Sequence, residues 1–253
     1  MGDISVILNV YKRPHTLEKQ IESIKNQTIK VGSDNIHVWY NPVEGVIQDK
    51  PKDSVIKTYE SSYNTKFFGR FTIPLICKTK YIAIFDDDII PGEKWLENCI
   101  KNINLREGIL GGSGVITNGR NYVPNEKIGW NGLKNLNQVN VDLVGHAWFF
   151  KKKHAKFMWL EEPPSWENGE DMFFSYVAQK NGIPTYVPPH PPDKIEMWSN
   201  DFRKSKTNGV EWGVDDNAHS LVVSNHMQLR NNIVTDLKNR GWSTVRKNIS
   251  KIM

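Results

Sequence analysis

The chain has 253 residues, of which 38% are hydrophobic and 24% charged, with a formal net charge of +5. This composition is that of an ordinary globular protein with one substantial core. No apolar stretch approaches the roughly 20 residues of a membrane span, and the amino end lacks the apolar segment of a signal peptide, so we expect a cytoplasmic protein. The two cysteines, Cys77 and Cys99, exclude a disulfide or zinc framework and are predicted to be buried thiols.

Positive charge is concentrated toward the carboxyl end. No acid follows Asp236, whereas five basic residues do: Lys238, Arg240, Arg246, Lys247 and Lys251. Such a segment can make peripheral contact with an anionic membrane surface or meet phosphates, and a solvated helix end explains it equally well. Nucleic acid is not an expected partner, because the sequence contains no recognised nucleic-acid module and no interleaved basic and aromatic stripe.

In chain order, the first predicted element is a strand over residues 4–10, which is almost entirely apolar. A polar loop follows, and then Leu17, Ile21 and Ile24 recur at the spacing of one helix face. A second strand is predicted over residues 36–40, followed by a long polar linking region. This alternation of strands and helices predicts an α/β sheet with right-handed crossovers.

The most informative stretch is Tyr81–Phe85, five apolar residues that lead directly into Asp86, Asp87 and Asp88. The apolar run predicts a strand covered on both faces, and ligands bind beyond the carboxyl ends of such strands in parallel sheets. Three adjacent carboxylates repel one another unless a cation or several donors hold them. Oxygen ligands without a nearby cysteine favour Mg²⁺ or Mn²⁺ over zinc. The alternative is an ordinary turn after a strand.

The chain changes character after a helix predicted to follow Pro91–Gly92. Residues 108–119 are rich in Gly and Ser, and residues 121–138 in Asn and Gly, whereas residues 139–150 are typical of one or two strands. We predict that this half builds the pocket of a second substrate.

Three further elements are predicted toward the carboxyl end. A helix begins at Gly169-Glu170-Asp171, and a strand over Pro184–Val187 leads into a segment of dense proline. A last amphipathic helix is expected from about Ala218 to Arg240.

The order and spacing of three of these segments resemble a known family. The opening segment from Ser5 to Pro14, the triplet Asp86-Asp87-Asp88 and the later Gly169-Glu170-Asp171 are similar to motifs of nucleotide-sugar glycosyltransferases with the GT-A fold. The likeness is to glycosyltransferase family 2 and exostosin-like enzymes in particular, with the triplet in the place of the metal-binding DxD motif. It spans residue 4 to about residue 190.

The resemblance implies an α/β fold of the GT-A type, which has a Rossmann-like, mostly parallel central sheet flanked by helices and a smaller acceptor-side sheet. It implies one domain made of three parts. Residues 1–105 would bind the nucleotide sugar, residues 106–217 would bind the acceptor and carry out catalysis, and residues 218–253 would form a carboxyl-terminal helical segment.

The resemblance also implies a donor site with Mn²⁺ or Mg²⁺. Asp88 would ligate the metal that bridges the two phosphates, and Asp86 would contact the metal's water shell or the ribose, with Asp87 beside them. His190 is the candidate for a late histidine ligand.

Four more residues are candidates for the nucleotide. Tyr11 and Arg13, in the loop after the first strand, are placed to stack on the base and meet a phosphate, and Arg70 is a second phosphate candidate. Asn41 stands where family 2 enzymes usually have an Asp that recognises the base, which leaves the base open.

On the acceptor side, Asp171 would act as general base in an inverting enzyme, with Glu170 beside it. In a retaining enzyme Asp171 would orient the substrates instead. Trp166, Trp148 and His146 are the candidates for the acceptor pocket, because aromatic faces suit the apolar faces of sugar rings. Core packing is the alternative for each tryptophan.

The expected activity is the metal-dependent transfer of a single sugar from a nucleoside-diphosphate sugar to a glycan or lipid-linked acceptor. A UDP-sugar is the first candidate for the donor. Two alternatives stay open. One is a sugar-phosphate nucleotidyltransferase, although the loop at residues 11–14 lacks the expected glycines. The other is a carbohydrate-binding protein that keeps the fold without turnover.

Overall fold

The computed structural model describes residues 3–119, 121–207 and 224–246. The described strands form one mixed nine-stranded sheet flanked by helices, so the predicted α/β class is confirmed. Two finer expectations are wrong. Within the described residues the strands form a single sheet, without a separate smaller one, and parallel pairings do not predominate. The physical reason for the second is that a strand from the second half returns antiparallel into the middle of the sheet.

The strands are numbered in chain order. They are β1 Ile4–Val10, β2 Ile36–Tyr40, β3 Lys57–Glu60, β4 Tyr81–Phe85, β5 Ile109–Thr117, β6 Asn125–Gly129, β7 Val139–Asn140, β8 Leu143–Lys151 and β9 Thr185–Val187. Their order across the sheet is β3-β2-β1-β4-β8-β5-β9-β7, and β6 pairs with β5 off this path. The strands β3, β2, β1 and β4 run parallel to one another, and β8 runs antiparallel to both β4 and β5.

The helices are numbered in the same way. They are α1 Leu17–Lys25, α2 Ile73–Ile76, α3 Trp95–Leu105, α4 Glu170–Lys180, α5 Phe202–Thr207 and α6 His226–Asn239. The predicted last helix is present as α6, and the part of that prediction before residue 224 lies outside the described residues. Among the described helices, none has the length and apolar character needed to cross a membrane.

Two hydrophobic cores cover the two faces of the sheet. Successive strand side chains point to opposite faces, so Ile82 and Ile84 of β4 enter one core while Ala83 and Phe85 enter the other. Helices α1 and α3 pack in the second core, and α4 and α6 in the first. Burial on both faces explains why β4 is apolar throughout. Cys77 and Cys99 are buried free thiols, as predicted.

Candidate functional site

The acidic triplet lies where three strands meet. Because β1 and β4 are parallel, their carboxyl ends share one edge of the sheet, and antiparallel β8 brings its first residues to the same edge. The backbone N–H of Asp86 donates to the carbonyl of His146 at 3.1 Å, which extends the β4–β8 pairing by one step. The topology therefore places His146, far along the chain, directly beside the triplet.

Asp86, Asp88 and His146 form a group of potential metal ligands. One ligand atom from each lies within 4.8 Å of the others, and Nδ1 of His146 is 3.7 Å from Oδ2 of Asp86. His146 has a φ of +64°, a left-handed conformation that is uncommon for a residue with a side chain and that clusters at functional sites. We predicted His146 as an acceptor contact, and the structure places it with the carboxylates.

This donor set fits a divalent cation. Two carboxylates and one imidazole can hold Mn²⁺ and would also accept Zn²⁺ or Fe²⁺. The imidazole nitrogen makes the set less suited to Mg²⁺, which prefers oxygen ligands alone. Five carboxyl groups and three guanidinium groups meet in this region. They are Asp86, Asp87, Asp88, Glu170 and Asp171, with Arg13, Arg70 and Arg230.

Arg70 joins the two acidic motifs. Its guanidinium contacts Oδ1 of Asp86 and, at 3.3 Å, Oε1 of Glu170, and it lies 4.9 Å above the ring of Trp148. The Arg70 side chain is buried, so it bonds to the acids inside the protein and does not face solvent. This corrects its prediction as a phosphate contact. Trp148 is also buried, packed edge-on against Phe71, which corrects its prediction as an acceptor platform.

The local environment alters two of the carboxyl groups. Burial, helped by the neighbouring carboxylate of Asp171, raises the pKa of Glu170 to about 8 against the opposing charge of Arg70. Burial likewise raises the pKa of Asp87 to about 7, although Arg13 lies against it.

Arg13 and the start of α1 fix the triplet. Nη1 of Arg13 is 2.8 Å from Oδ1 of Asp87 and 4.0 Å from Oδ2 of Asp88. Thr16 Oγ1 is within 2.8 Å of the carbonyls of Arg13 and Asp87, and Gln20 Nε2 donates to the carbonyl of Asp86 at 2.7 Å. Arg13 and Asp87 thus form a buried ion pair that shapes the acidic loop. Arg13 was predicted to meet a phosphate, but its guanidinium is buried against the acidic loop.

Asp171 is held by a residue from α6. Nη2 of Arg230 is 2.6 Å from Oδ2 of Asp171, and the N–H of Met172 donates to Oδ1 at 2.8 Å. A second guanidinium nitrogen of Arg230 donates to Oδ1 of Asn168 at 2.9 Å, and the group lies 4.2 Å above the ring of Tyr122. Sequence reasoning missed Arg230, because nothing in the pattern of its helix distinguishes it from a surface arginine.

His190 lies away from the metal-ligand group, which corrects its prediction as a ligand. Its ring is fully buried between Trp95 and Trp198, with centroid distances of 5.4 and 6.1 Å. Nδ1 is 2.8 Å from the carbonyl of Pro188 and Nε2 is 3.3 Å from Oγ of Ser199. Both ring nitrogens are therefore engaged, and burial lowers the pKa of His190 to about 3.

The Asn41 side chain forms hydrogen bonds with the polar segment that follows β3. Its Nδ2 donates to Oδ1 of Asn64 at 2.7 Å and to the carbonyl of Lys66, while its Oδ1 accepts from the N–H of Thr65. The amide has both of its polar atoms bonded within the chain, which corrects its prediction as a contact to the base. Tyr11 is half-buried, and its hydroxyl accepts from Nδ2 of Asn64 at 3.1 Å.

Trp166 is the tryptophan candidate that the structure leaves open to a ligand. Its side chain is 48% exposed, and its ring packs edge-on against Phe68 at 4.9 Å. Neighbouring Glu167 forms an ion pair with Lys66 at 2.9 Å.

A polar chain behind His146 also escaped the sequence interpretation. Nε2 of His146 is 3.4 Å from Nδ2 of Asn131, whose Oδ1 accepts from the hydroxyl of Ser113. The ring of Trp130 packs edge-on against His146 at 5.4 Å. Asn131 lies in an Asn- and Gly-rich stretch where only the fold shows which amide approaches the site.

No protein-family model matches the chain, and comparison with curated proteins gives no match.

Proposed function

We propose that the chain is a GT-A type, metal-dependent glycosyltransferase that moves a single sugar from a nucleoside-diphosphate sugar to a glycan or lipid-linked acceptor. One observation carries the proposal. Two acidic motifs that lie far apart in the sequence, Asp86-Asp87-Asp88 and Glu170-Asp171, are joined through Arg70 at the carboxyl ends of parallel strands. Ligands of α/β proteins bind at such an edge.

The donor half of the proposed site consists of Asp86, Asp88 and His146, which would hold Mn²⁺. When bound, the cation acts as a Lewis acid toward the diphosphate leaving group. Arg70 keeps one oxygen of Asp86 occupied, so Oδ2, which faces His146, is the oxygen left for the cation. Tyr11 lies on the loop after β1 and is the remaining candidate for stacking on the base.

The acceptor half consists of Asp171 and Trp166. Because both oxygens of Asp171 already have partners, in Arg230 and the Met172 amide, the structure favours a role in orienting the acceptor over removal of its proton. Glu170, buried against Arg70, would keep that arginine in place. Trp166 offers an exposed ring for the apolar face of a sugar.

The test is calorimetric titration of UDP, and then GDP, with and without Mn²⁺. We expect metal-dependent nucleotide binding by the native chain and its loss in Asp88→Asn, because that change removes one anionic ligand. Asp193→Asn is the matched control, since it removes an exposed carboxylate elsewhere and should bind like the native chain.

Each alternative gives a different result. Sugar binding that is indifferent to Mn²⁺ and to loss of Asp171 would indicate a carbohydrate-binding protein. Metal-dependent binding of a nucleoside triphosphate together with a sugar phosphate would indicate a nucleotidyltransferase. Absence of both Mn²⁺ and nucleotide binding contradicts the proposal altogether.

A further inference from the structure

A basic face lies at the end of the sheet opposite the acidic site. It comprises Lys78, Lys80, Lys152 and Lys156, together with Leu75 and Ile76 of α2. The first residue of β4 pairs with the last residue of β8, Tyr81 with Lys151, and the N–H of Lys152 donates to the carbonyl of Lys80 at 2.8 Å. The helical turn over residues 152–159 packs against α2, so the two stretches form one surface.

The positive charges of this basic face are only partly balanced by nearby acids. Asp3 lies beside Lys80, and its Oδ1 accepts from the backbone N–H of Lys80 at 3.1 Å. None of its four lysines forms an ion pair within the described part of the chain. The nearby carboxylate of Glu107 is already occupied by Lys151 and Lys153, each at 2.7 Å. Lys78, Lys80 and Lys156 are exposed and Lys152 is half-buried, so their positive charge faces solvent.

The basic face also carries two adjacent aliphatic side chains. Leu75 is 44% exposed and Ile76 is 63% exposed, whereas Ile73 on the same short helix is buried. Isolated exposed aliphatic residues are ordinary, but here a neighbouring pair lies beside four lysines that form no ion pair with any described residue. This arrangement combines the two features of a lipid-binding surface. Lysines contact anionic headgroups and aliphatic side chains enter the acyl boundary, whereas a nucleic acid would gain only from the lysines.

The basic carboxyl-terminal segment is a weaker candidate for the same role. Within the described residues, Arg240 forms an ion pair with Asp236 at 2.6 Å and Arg246 one with Glu126 at 3.3 Å, so both charges are satisfied inside the molecule. Lys247 and Lys251 lie outside the described residues.

We propose that the basic face docks the protein on an anionic lipid membrane. This inference does not depend on the proposed transferase activity. The strand β4 separates the basic face from the acidic site, and its five residues span about 17 Å. Docking would therefore hold the acidic site above the headgroups and open toward the aqueous phase.

Flotation of the whole chain with vesicles tests the proposal. We expect binding to vesicles of 70% phosphatidylcholine and 30% phosphatidylglycerol at 0.1 M salt, and at least tenfold weaker binding to pure phosphatidylcholine. The triple variant Lys78→Glu, Lys80→Glu and Lys156→Glu should lose at least tenfold in partitioning. The control triple variant Lys30→Glu, Lys101→Glu and Lys204→Glu changes the net charge equally at exposed positions elsewhere and should lose less than twofold.

The variant Leu75→Ser with Ile76→Ser isolates the apolar contribution. Because both side chains are exposed, the fold should keep its thermal midpoint, while vesicle binding falls several-fold. Equal loss in the two lysine triples would overturn the proposal, since binding would then follow net charge alone. Undiminished binding by the serine variant, with equal affinity for single-stranded DNA, would overturn it in favour of a polyanion partner. Absence of binding to the anionic vesicles would also overturn it.

Discussion

His146 and His190 lie in the same half of the chain but in opposite environments. His146 sits at the rim of the acidic site in a left-handed conformation, with one nitrogen toward Asp86 and the other toward Asn131. His190 is enclosed by two tryptophans, and both of its nitrogens are bonded to nearby groups. The resemblance implied a late histidine ligand, and His190, in a proline-rich segment after a strand, was the candidate for it. Strand pairing, which brings β8 beside β4, therefore decides which imidazole lies next to the carboxylates.

The largest effect we expect is on stability at mildly acidic pH. Burial lowers the pKa of His190 to about 3 and that of His37 to about 4, so the folded state binds these protons less readily than the unfolded state, where the pKa is about 6.5. The resulting stability is complete above pH 6.5 and is lost as the pH falls toward 4 and then 3. We expect these two histidines together to lower the free energy of unfolding by about 2–4 kcal/mol between pH 7 and pH 5. The carboxyl groups of Glu170 and Asp87, whose pKa values are raised by burial, act in the opposite direction over the same range, so the histidine effect is measured as a difference between the native chain and a variant.

Urea unfolding at the two pH values measures this difference. His190→Phe removes one of the two histidines, so between pH 7 and pH 5 the free energy of unfolding of the variant should fall by about 2 kcal/mol less than that of the native chain. The carboxyl groups of Asp53 and Glu107, whose pKa values are lowered to about 2, change the stability only below about pH 4.5 and so do not interfere. An unchanged drop in the variant would show that His190 is not the source.

The next effect is on metal binding, for which the two histidines should differ. His146→Ala should weaken Mn²⁺ binding about 100-fold, because it removes one of three ligands, and it should narrow the preference for Mn²⁺ over Mg²⁺. His190→Phe should bind Mn²⁺ within twofold of the native chain. Manganese EPR of the free and bound ion measures both affinities. If His190→Phe weakens Mn²⁺ binding as strongly as His146→Ala, then His146 is not the histidine that distinguishes the metal site.

The third effect is the structural cost of losing the His190 hydrogen bonds. His190→Phe keeps an aromatic ring between Trp95 and Trp198 but leaves the carbonyl of Pro188 and the hydroxyl of Ser199 buried without this partner. We expect a loss of roughly 2 kcal/mol in the free energy of unfolding at pH 7. Urea denaturation of His146→Ala serves as the comparison, and its loss should be smaller because that side chain lies at the rim of the site.

The smallest effect concerns the residue behind His146. Metal binding through Nδ1 of His146 requires the ring proton on Nε2, so Asn131 would orient the ring by turning its amide to accept that proton at Oδ1. Asn131→Leu should then weaken Mn²⁺ binding about tenfold, since groups that orient a metal-ligating histidine typically contribute that much. In a His146→Ala background the same change should have no further effect, because the ring that Asn131 orients is gone. Additive losses in the double variant would mean that Asn131 acts on stability in general and not through the imidazole.

The first hundred residues were largely predictable from pattern. The strands β1, β2 and β4 and the helices α1 and α3 lie where apolar runs and helical periodicity placed them, because each buries a continuous face in one of the two cores. The acidic triplet after β4 followed from the same pattern. The strand β3 was missed, since it is a mostly exposed edge strand inside a polar stretch.

The second half was less predictable because its signals are not local. The strand β5 is fully buried, yet its sequence is rich in glycine, which ordinarily weakens a strand. A Cβ at Gly111 would lie 2.3 Å from Cβ of Val144, so glycine is required there by the close approach of β8. Which residues join the acidic site depends on such pairings. His146, Asn131 and Arg230 could not be recognised as neighbours of the carboxylates before the fold was known.

Arg230 makes the carboxyl-terminal helix part of the acidic site's construction. The orientation of Asp171 depends on a side chain 59 positions later, supplied by α6. A chain shortened before His226 would keep all nine described strands yet leave Asp171 without its guanidinium partner. Trimming the protein to a core without α6 would therefore change the surroundings of Asp171, although no residue of the second acidic motif itself would be replaced.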